Sequence, residues 1–144
     1  MRYFTIYGPR QRPDMAITRF IDAALDGRPV DVFGDGLQSR DFTYVDDAVA
    51  ATIAAASGGA VGGAYNVAGG SQTTVLEVIE MLERLLGNEI PVSHLAAVAG
   101  DVRKTGADIA RAQRDLGYDP ATSLEQGLAH QLEAQRATRT TIAP

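Results

Sequence analysis

The 144-residue chain contains no cysteine and no tryptophan. Disulfides, thiolate metal sites and cysteine nucleophiles are therefore excluded. His94 and His130 are the only two histidines, too few for a histidine-rich metal centre. Of the 13 basic residues, Lys104 alone is lysine, so any lysine-dependent catalysis has a single candidate. No apolar run approaches the ~18–20 residues of a membrane span. The opening Met1-Arg2-Tyr3-Phe4-Thr5 lacks the apolar core of a secretory signal. Thirteen Lys+Arg against 18 Asp+Glu leave a formal charge of −5. That sign argues against a nucleic-acid coat but permits one local cationic pocket. The expectation is a soluble, cytoplasmic domain that engages neither nucleic acid nor membrane.

The 45% hydrophobic content is enough to bury a core, and the length suits one domain. Residues 2–7, ended by Gly8-Pro9, read as a strand buried on both faces of a parallel sheet. Ile17, Phe20, Ile21, Ala24 and Leu25 follow helical spacing, and Gly27 closes that helix. Val30–Phe33 and Asp41–Val45 read as strands. Asp46 and Asp47 read as caps of an alanine-rich helix over 48–56 and as complements of its dipole, not as an acid/base pair. Residues 64–68 read as another buried strand. Thr74–Leu86 reads as an amphipathic helix with Val75, Val78, Ile79, Leu82 and Leu86 on one stripe, capped by Gly87. Ile90–Val92 reads as an edge strand at best, because Pro91 has no N–H to give. Helices are expected from Asp108 to Leu116 and from Ser123 onward, with a flexible tail over 138–144. His94 reads as a loop residue and His130 as a helix-surface residue. Two buried parallel strands, 2–7 and 64–68, make too small a sheet to stand alone.

Three segments carry a resemblance. The first is Arg2-Tyr3-Phe4-Thr5-Ile6-Tyr7-Gly8-Pro9-Arg10-Gln11-Arg12-Pro13-Asp14-Met15. The second is Val32-Phe33-Gly34-Asp35-Gly36 followed by Ser39-Arg40-Asp41-Phe42-Thr43-Tyr44-Val45-Asp46-Asp47. The third is Tyr65-Asn66-Val67-Ala68-Gly69-Gly70, with Gly100-Asp101-Val102-Arg103 and Ala107-Asp108-Ile109 beyond it. In this order they resemble the C-terminal, substrate-binding half of the extended short-chain dehydrogenase/reductase family of nucleotide-sugar epimerases and dehydratases, over roughly residues 1–136. The Tyr7–Met15 run is most similar to the UDP-sugar 4-epimerases.

The resemblance implies an α/β fold, with the last strands of a Rossmann sheet and a small α+β substrate lobe over 1–137. It implies NAD as the cofactor of the intact family and a UDP- or dTDP-hexose as ligand. The family's glycine-rich dinucleotide turn and Tyr-x-x-x-Lys pair have no counterpart here. None of the five tyrosines has a lysine four residues on. The expectation is therefore no catalytic residue, no NAD binding by this chain alone, and a Rossmann half that is absent or replaced by homo-oligomeric contacts.

For the ligand, the resemblance assigns Arg40 to the diphosphate, which a planar guanidinium grips bidentately. The bland reading of Arg40 is a surface ion pair with Asp41 or Asp46. Asp101 is expected at the ribose hydroxyls, with a turn aspartate as the alternative. Arg103 is expected to assist the phosphates or face solvent. The backbone at Asp31 and Phe33 is expected at the base, and Thr5 near the sugar, where epimerases often carry Asn. Met15 and Ala16 are expected to start a helix whose N–H groups meet the nucleotide. Val98 stands where the family usually has Gln or Arg. The contrasting possibility is a non-catalytic assembly or binding module, or an inactive truncated product.

Overall fold

The computed structural model describes residues 1–142. Its elements run β1 (Arg2–Tyr3), β2 (Ile6–Tyr7), α1 (Ala16–Leu25), β3 (Val30–Phe33), β4 (Ser39–Asp41), β5 (Thr43–Tyr44), α2 (Val45–Ser57), β6 (Asn66–Val67), β7 (Gln72–Thr74), α3 (Val75–Leu86), β8 (Val92–Leu95), α4 (Ala110–Leu116) and α5 (Leu124–Ile142). The fold is α/β. β1 pairs with β6, β2 with β5 and β3 with β8, all parallel, while β4 and β7 are antiparallel.

The single strand expected over 2–7 is divided because its neighbours change. The N–H groups of Arg2 and Phe4 donate to the Tyr65 and Val67 carbonyls at 2.7 and 2.9 Å, and the Thr5 carbonyl accepts from Thr43 N–H at 3.1 Å. Strand alternation turns residues 2 and 4 to one edge and 3, 5 and 7 to the other. β6 thus lies along the first half and β5 along the opposite edge of the second half. The backbone of Tyr3 faces the β5 side before β5 begins, so this stretch of edge is open.

Two apolar clusters hold the elements. The larger one packs Ile17, Phe20 and Ile21 of α1 and Val30 and Val32 of β3 against Val78, Ile79 and Leu82 of α3 and Leu128 and Leu132 of α5. The smaller one gathers Ala48 and Ala51 of α2 around Tyr65, Val67, Ala112 and Tyr118. α3 matches its sequence pattern closely. Thr74 is its N-cap in a full capping box with Glu77, and Gly87 ends it at φ 77°. Such a box satisfies two orphan N–H groups at once.

Several expectations are corrected. The N-cap of α2 is Tyr44, and Asp46 and Asp47 lie inside its first turn. Asp47 is buried and accepts the N–H groups of Ala121 and Thr122, each at 3.2 Å, so it ties down the entry to α5 as well as complementing the dipole. The strand expected at 90–92 forms at 92–95. Pro91 sits just outside it, its carbonyl accepting Val30 N–H at 2.8 Å, which is the contact open to a residue without an N–H. His94 therefore lies in a strand, its Nδ1 2.8 Å from the Gly34 carbonyl oxygen. The tail expected beyond Ala137 continues as helix to Ile142. Arg139 secures it by bonding Asp22 and Asp26. The rest of that expected tail, 143–144, lies outside the described residues.

Val67 is fully buried, and Phe4 and Ile6 are partly covered. The apolar surface left along the open edge is therefore narrower than two bare strands imply. Tyr3 remains 44% exposed, beside Val49 and Ile53 of α2 at 49% and 64%. Its hydroxyl hydrogen-bonds Thr52 Oγ1 at 2.7 Å. An open edge flanked by apolar side chains templates pairing, and each such side chain, already partly covered, gains a fraction of the ~1.5–3 kcal/mol of full burial. The isolated chain is expected to cover this edge by self-association. Light scattering should give a mass above one chain, and the Tyr3 amide should exchange slowly. A cooperative monomer whose Tyr3 amide exchanges at the unprotected rate contradicts this.

Candidate functional site

A cleft of about 520 Å³ opens between α1, β3, β4, α3 and the segment that follows β8. Its floor is apolar, formed by Ile17, Phe20, Val32, Val75 and Val78. These residues belong to the helical and strand patterns that build the larger core, so the cleft is an unfilled margin of that core.

β3 contributes an open backbone edge. Val30 N–H and Gly34 N–H donate toward β8, to Pro91 and Leu95 at 2.8 and 2.9 Å. Alternation then turns the N–H and C=O groups of Asp31 and Phe33 to the other edge. Both residues line the cleft. Gln38 Nε2 donates to the Phe33 carbonyl at 3.0 Å, which fixes the corner where the chain leaves β3.

β4 places the cation. Asp41 turns inward and is buried; its carboxylate accepts Gly70 N–H at 3.1 Å and Ala107 N–H at 3.4 Å. Burial pushes its carboxyl above the usual range, and the N–H groups of Ala107 and Gly70 pull it back. With Asp41 pointing in, its strand neighbour Arg40 points to the opposite face, where it lines the cleft. The guanidinium donates to Asp101 Oδ1 at 2.5 Å and to the Ser39 carbonyl at 2.8 Å. The Arg40 side chain is 20% exposed and that of Asp101 is 40% exposed. The partner of Arg40 is therefore Asp101, neither Asp41 nor Asp46.

The segment 96–103 forms the cleft's outer wall. It leaves β8 at Leu95 and turns at Gly100, φ 86°. It rejoins β4 through Ser39 N–H to the Arg103 carbonyl at 2.9 Å and Thr105 N–H to the Ser39 carbonyl at 3.1 Å. Val98, Ala99, Gly100 and Asp101 face the cleft. Arg103 does not. It grips Asp35 with two bonds of 2.6 and 2.9 Å in an exposed pair.

Of the residues singled out in the sequence, Thr5, Ala16, Asp31, Phe33, Arg40 and Asp101 meet in this cleft. Met15 does not. As N-cap of α1 it turns into a neighbouring hollow of about 420 Å³ with Arg10, Arg12 and Gly8. Sequence reasoning missed the apolar floor from α3 and the Gln38 contact. The regular spacing of Val75 and Val78 was legible, but not which element that stripe leaves uncovered. Burial pushes the Tyr118 hydroxyl up to about 12, and it donates to the Ala68 carbonyl at 2.8 Å. Among the described residues no group of acidic and histidine side chains is arranged to hold a metal ion, and no helix is long and apolar enough to cross a membrane.

The family model described as the NAD dependent epimerase/dehydratase family matches residues 1–68. The UDP-glucuronate 4-epimerase of Thermodesulfobacterium geofontis is 43% identical over 131 residues, 89% of this chain and 40% of that protein. An uncharacterized UDP-glucose epimerase of Bacillus subtilis is 42% identical over 133 residues, 92% of this chain and 42% of its own length. The crystal structure of a Bacillus cereus UDP-glucuronic acid 4-epimerase in complex with UDP-glucuronic acid and NAD superposes with a TM-score of 0.92 at 42% identity, covering 95% of this chain and 44% of that one. The chain thus spans about two fifths of the length of these curated relatives.

The Asp35–Arg103 pair gives a pH test of the outer wall. The Arg103 hydrogen bond is the largest cause holding the Asp35 carboxyl down at about 2, and the Leu37 N–H adds to it. A depressed folded-state pKa means that the pair's contribution is present above the ordinary aspartate value of ~4. It is lost as pH falls through about 2. NMR titration of Asp35 should find its midpoint near 2, rising toward the ordinary range in Arg103→Ala. An unchanged midpoint in the variant means that the pair does not form in solution.

Proposed function

Because the chain belongs to the NAD-dependent epimerase/dehydratase family, we propose that its cleft holds the nucleotide diphosphate of a UDP- or dTDP-sugar and so presents the sugar for chemistry. The observation that carries this reading is Arg40, a cation fixed by the inward turn of Asp41 at an apolar cleft. The volume of about 520 Å³ lies within the range of small-ligand sites, ~300–1,000 Å³. In this reading the guanidinium binds the diphosphate, exchanging part of its bond to Asp101 for charge-assisted bonds to phosphate. Asp101 is then free to accept from the ribose hydroxyls. The base lies along the open edge of β3, where the backbone groups of Asp31 and Phe33 offer donors and acceptors. Thr5 lies toward the sugar, and the first turn of α1 at Ala16 offers its N–H groups to the nucleotide. The relatives' names support a UDP-sugar as the ligand class.

In this reading NAD is not held by this chain. The one strand that opens through a glycine toward α1 does so at Gly8, where a Cβ would meet Val45 Cγ1 at 2.7 Å. That position is packed against Val45 and Tyr44. Hydride transfer in this reading belongs to a dinucleotide-binding half with its own tyrosine and lysine. This chain's share is orientation, a contribution that can lower a barrier substantially once the reactants are held in register. The open edge at Tyr3 supports the docking of such a half, or of a second copy.

Calorimetry with UDP tests the assignment. Arg40→Ala should weaken binding by about 1.5–3 kcal/mol, the scale of a charge-assisted hydrogen bond, and Arg40→Lys should recover part of it. Equal affinity in wild type and both variants means that Arg40 only pairs with Asp101. The pure chain is also expected to turn over no UDP- or dTDP-hexose. Turnover above a mock preparation would place the catalytic groups within these residues.

A further inference from the structure

A buried glutamine on the last helix bonds the segment behind one wall of the cleft. Gln131 of α5 is 1% exposed. Its Oε1 accepts Gly8 N–H at 2.8 Å, and its Nε2 donates to Thr18 Oγ1 and Gln11 Oε1, each at 3.1 Å. Gln11 in turn donates to the Ile6 carbonyl at 2.9 Å. One side chain therefore gathers the end of β2, the turn at Gly8 and the first turns of α1.

The contact continues as a ladder. Gln135 Nε2 donates to Asp22 Oδ1 at 3.0 Å, and Arg139 bonds Asp22 and Asp26 at 2.8 and 2.6 Å. Residues 131, 135 and 139 face 18, 22 and 26, so both helices present polar groups at i, i+4 spacing. A sliding apolar contact tolerates small shifts along the axis. A ladder of directional bonds does not, because a buried amide left unpaired costs ~1–3 kcal/mol. The lower rungs are partly exposed, whereas the rung at Gln131 is dry. The register of α1 is therefore fixed most firmly at its N-terminal end, where Ala16 and Ile17 line the cleft.

We infer that Gln131 is a positioning residue for the cleft. Through Gly8, Gln11 and Thr18 it sets where the first turn of α1 stands, and so how the cleft receives its ligand. The effect on ligand rests on the nucleotide-binding reading; the effect on the wall does not.

Gln131→Leu removes the upper rung whole, and Gln11→Met removes its bonds to Gln131, Thr18 and Ile6 while leaving Gly8 bonded to Gln131. Arg139→Ala removes the lower rung, and Leu132→Ala removes core packing one residue along α5. Amide exchange, amide chemical shifts and UDP affinity are measured on the 144-residue chain. In Gln131→Leu exchange at Gly8, and in Gln11→Met exchange at Thr18, whose N–H donates to Gln11 Oε1 at 3.3 Å, should rise about tenfold relative to Ile21 and Leu82. The Ala16 and Ile17 amides should shift, and UDP affinity should fall several-fold. Leu132→Ala should speed Gly8, Ile21 and Leu82 together, and Arg139→Ala should leave Ala16 and Ile17 unmoved. If wild type does not bind UDP, the nucleotide reading fails, and the Ala16 and Ile17 shifts alone decide the positioning role. The inference is overturned if those shifts stay unmoved in the upper-rung variants, or if wild type binds UDP and the upper-rung variants bind it equally well.

Discussion

The buried carboxylate of Asp41 is the point to which the cleft is registered. It faces the protein interior and accepts N–H groups from two distant stretches of chain, Gly70 before β7 and Ala107 before α4. Strand geometry allows side chains only two directions. Once Asp41 is committed inward, Arg40 must face out, and outward here means into the cleft. The same tie draws Gly69 against the Phe42 carbonyl, leaving no room for a Cβ. A buried carboxylate held by backbone donors thus orients an arginine that is itself held by little more than Asp101 and its neighbour's carbonyl.

That difference in anchoring matters for chemistry. A ligand site needs a fixed scaffold and a replaceable partner. β3, β4 and α3 supply the scaffold through backbone bonds and apolar packing. The outer wall is held instead by Arg40–Asp101 and Arg103–Asp35, ion pairs open to water on at least one side. Such pairs are weak in water, so an anion of higher charge can take over the arginine without disturbing the core. The inner wall at Ala16 is anchored the other way, through the hydrogen bonds that the buried Gln131 makes with Gly8, Gln11 and Thr18 around it.

Much of this was legible in the sequence, and the limits are physical. α3 was readable because its apolar stripe and Gly87 cap agree, and the structure adds a Thr74–Glu77 capping box at its start. Arg40 and Asp101 were readable only through the motifs around them, since 61 positions separate them and no local rule joins them. The break within 2–7 was not legible, because it depends on which strand comes alongside at each residue. Asp47 looked like a cap because a helix N-terminus favours acids. Its bonds to Ala121 and Thr122 arise from tertiary placement alone. Arg103 was expected at the phosphates or facing solvent; Asp35 lies within its reach, and the bidentate pair holds it in the exposed position.

The most direct test of the cleft as a nucleotide site is the map of amides that respond to UDP in the isotope-labelled chain. Saturable shifts are expected, confined to Ala16, Asp31, Phe33, Arg40 and the 98–101 turn, together with the Arg40 side-chain Nε–H. These shifts should weaken as salt screens the arginine. Shifts confined to the Gly8–Met15 hollow, or none at concentrations that saturate a full-length relative, would contradict it.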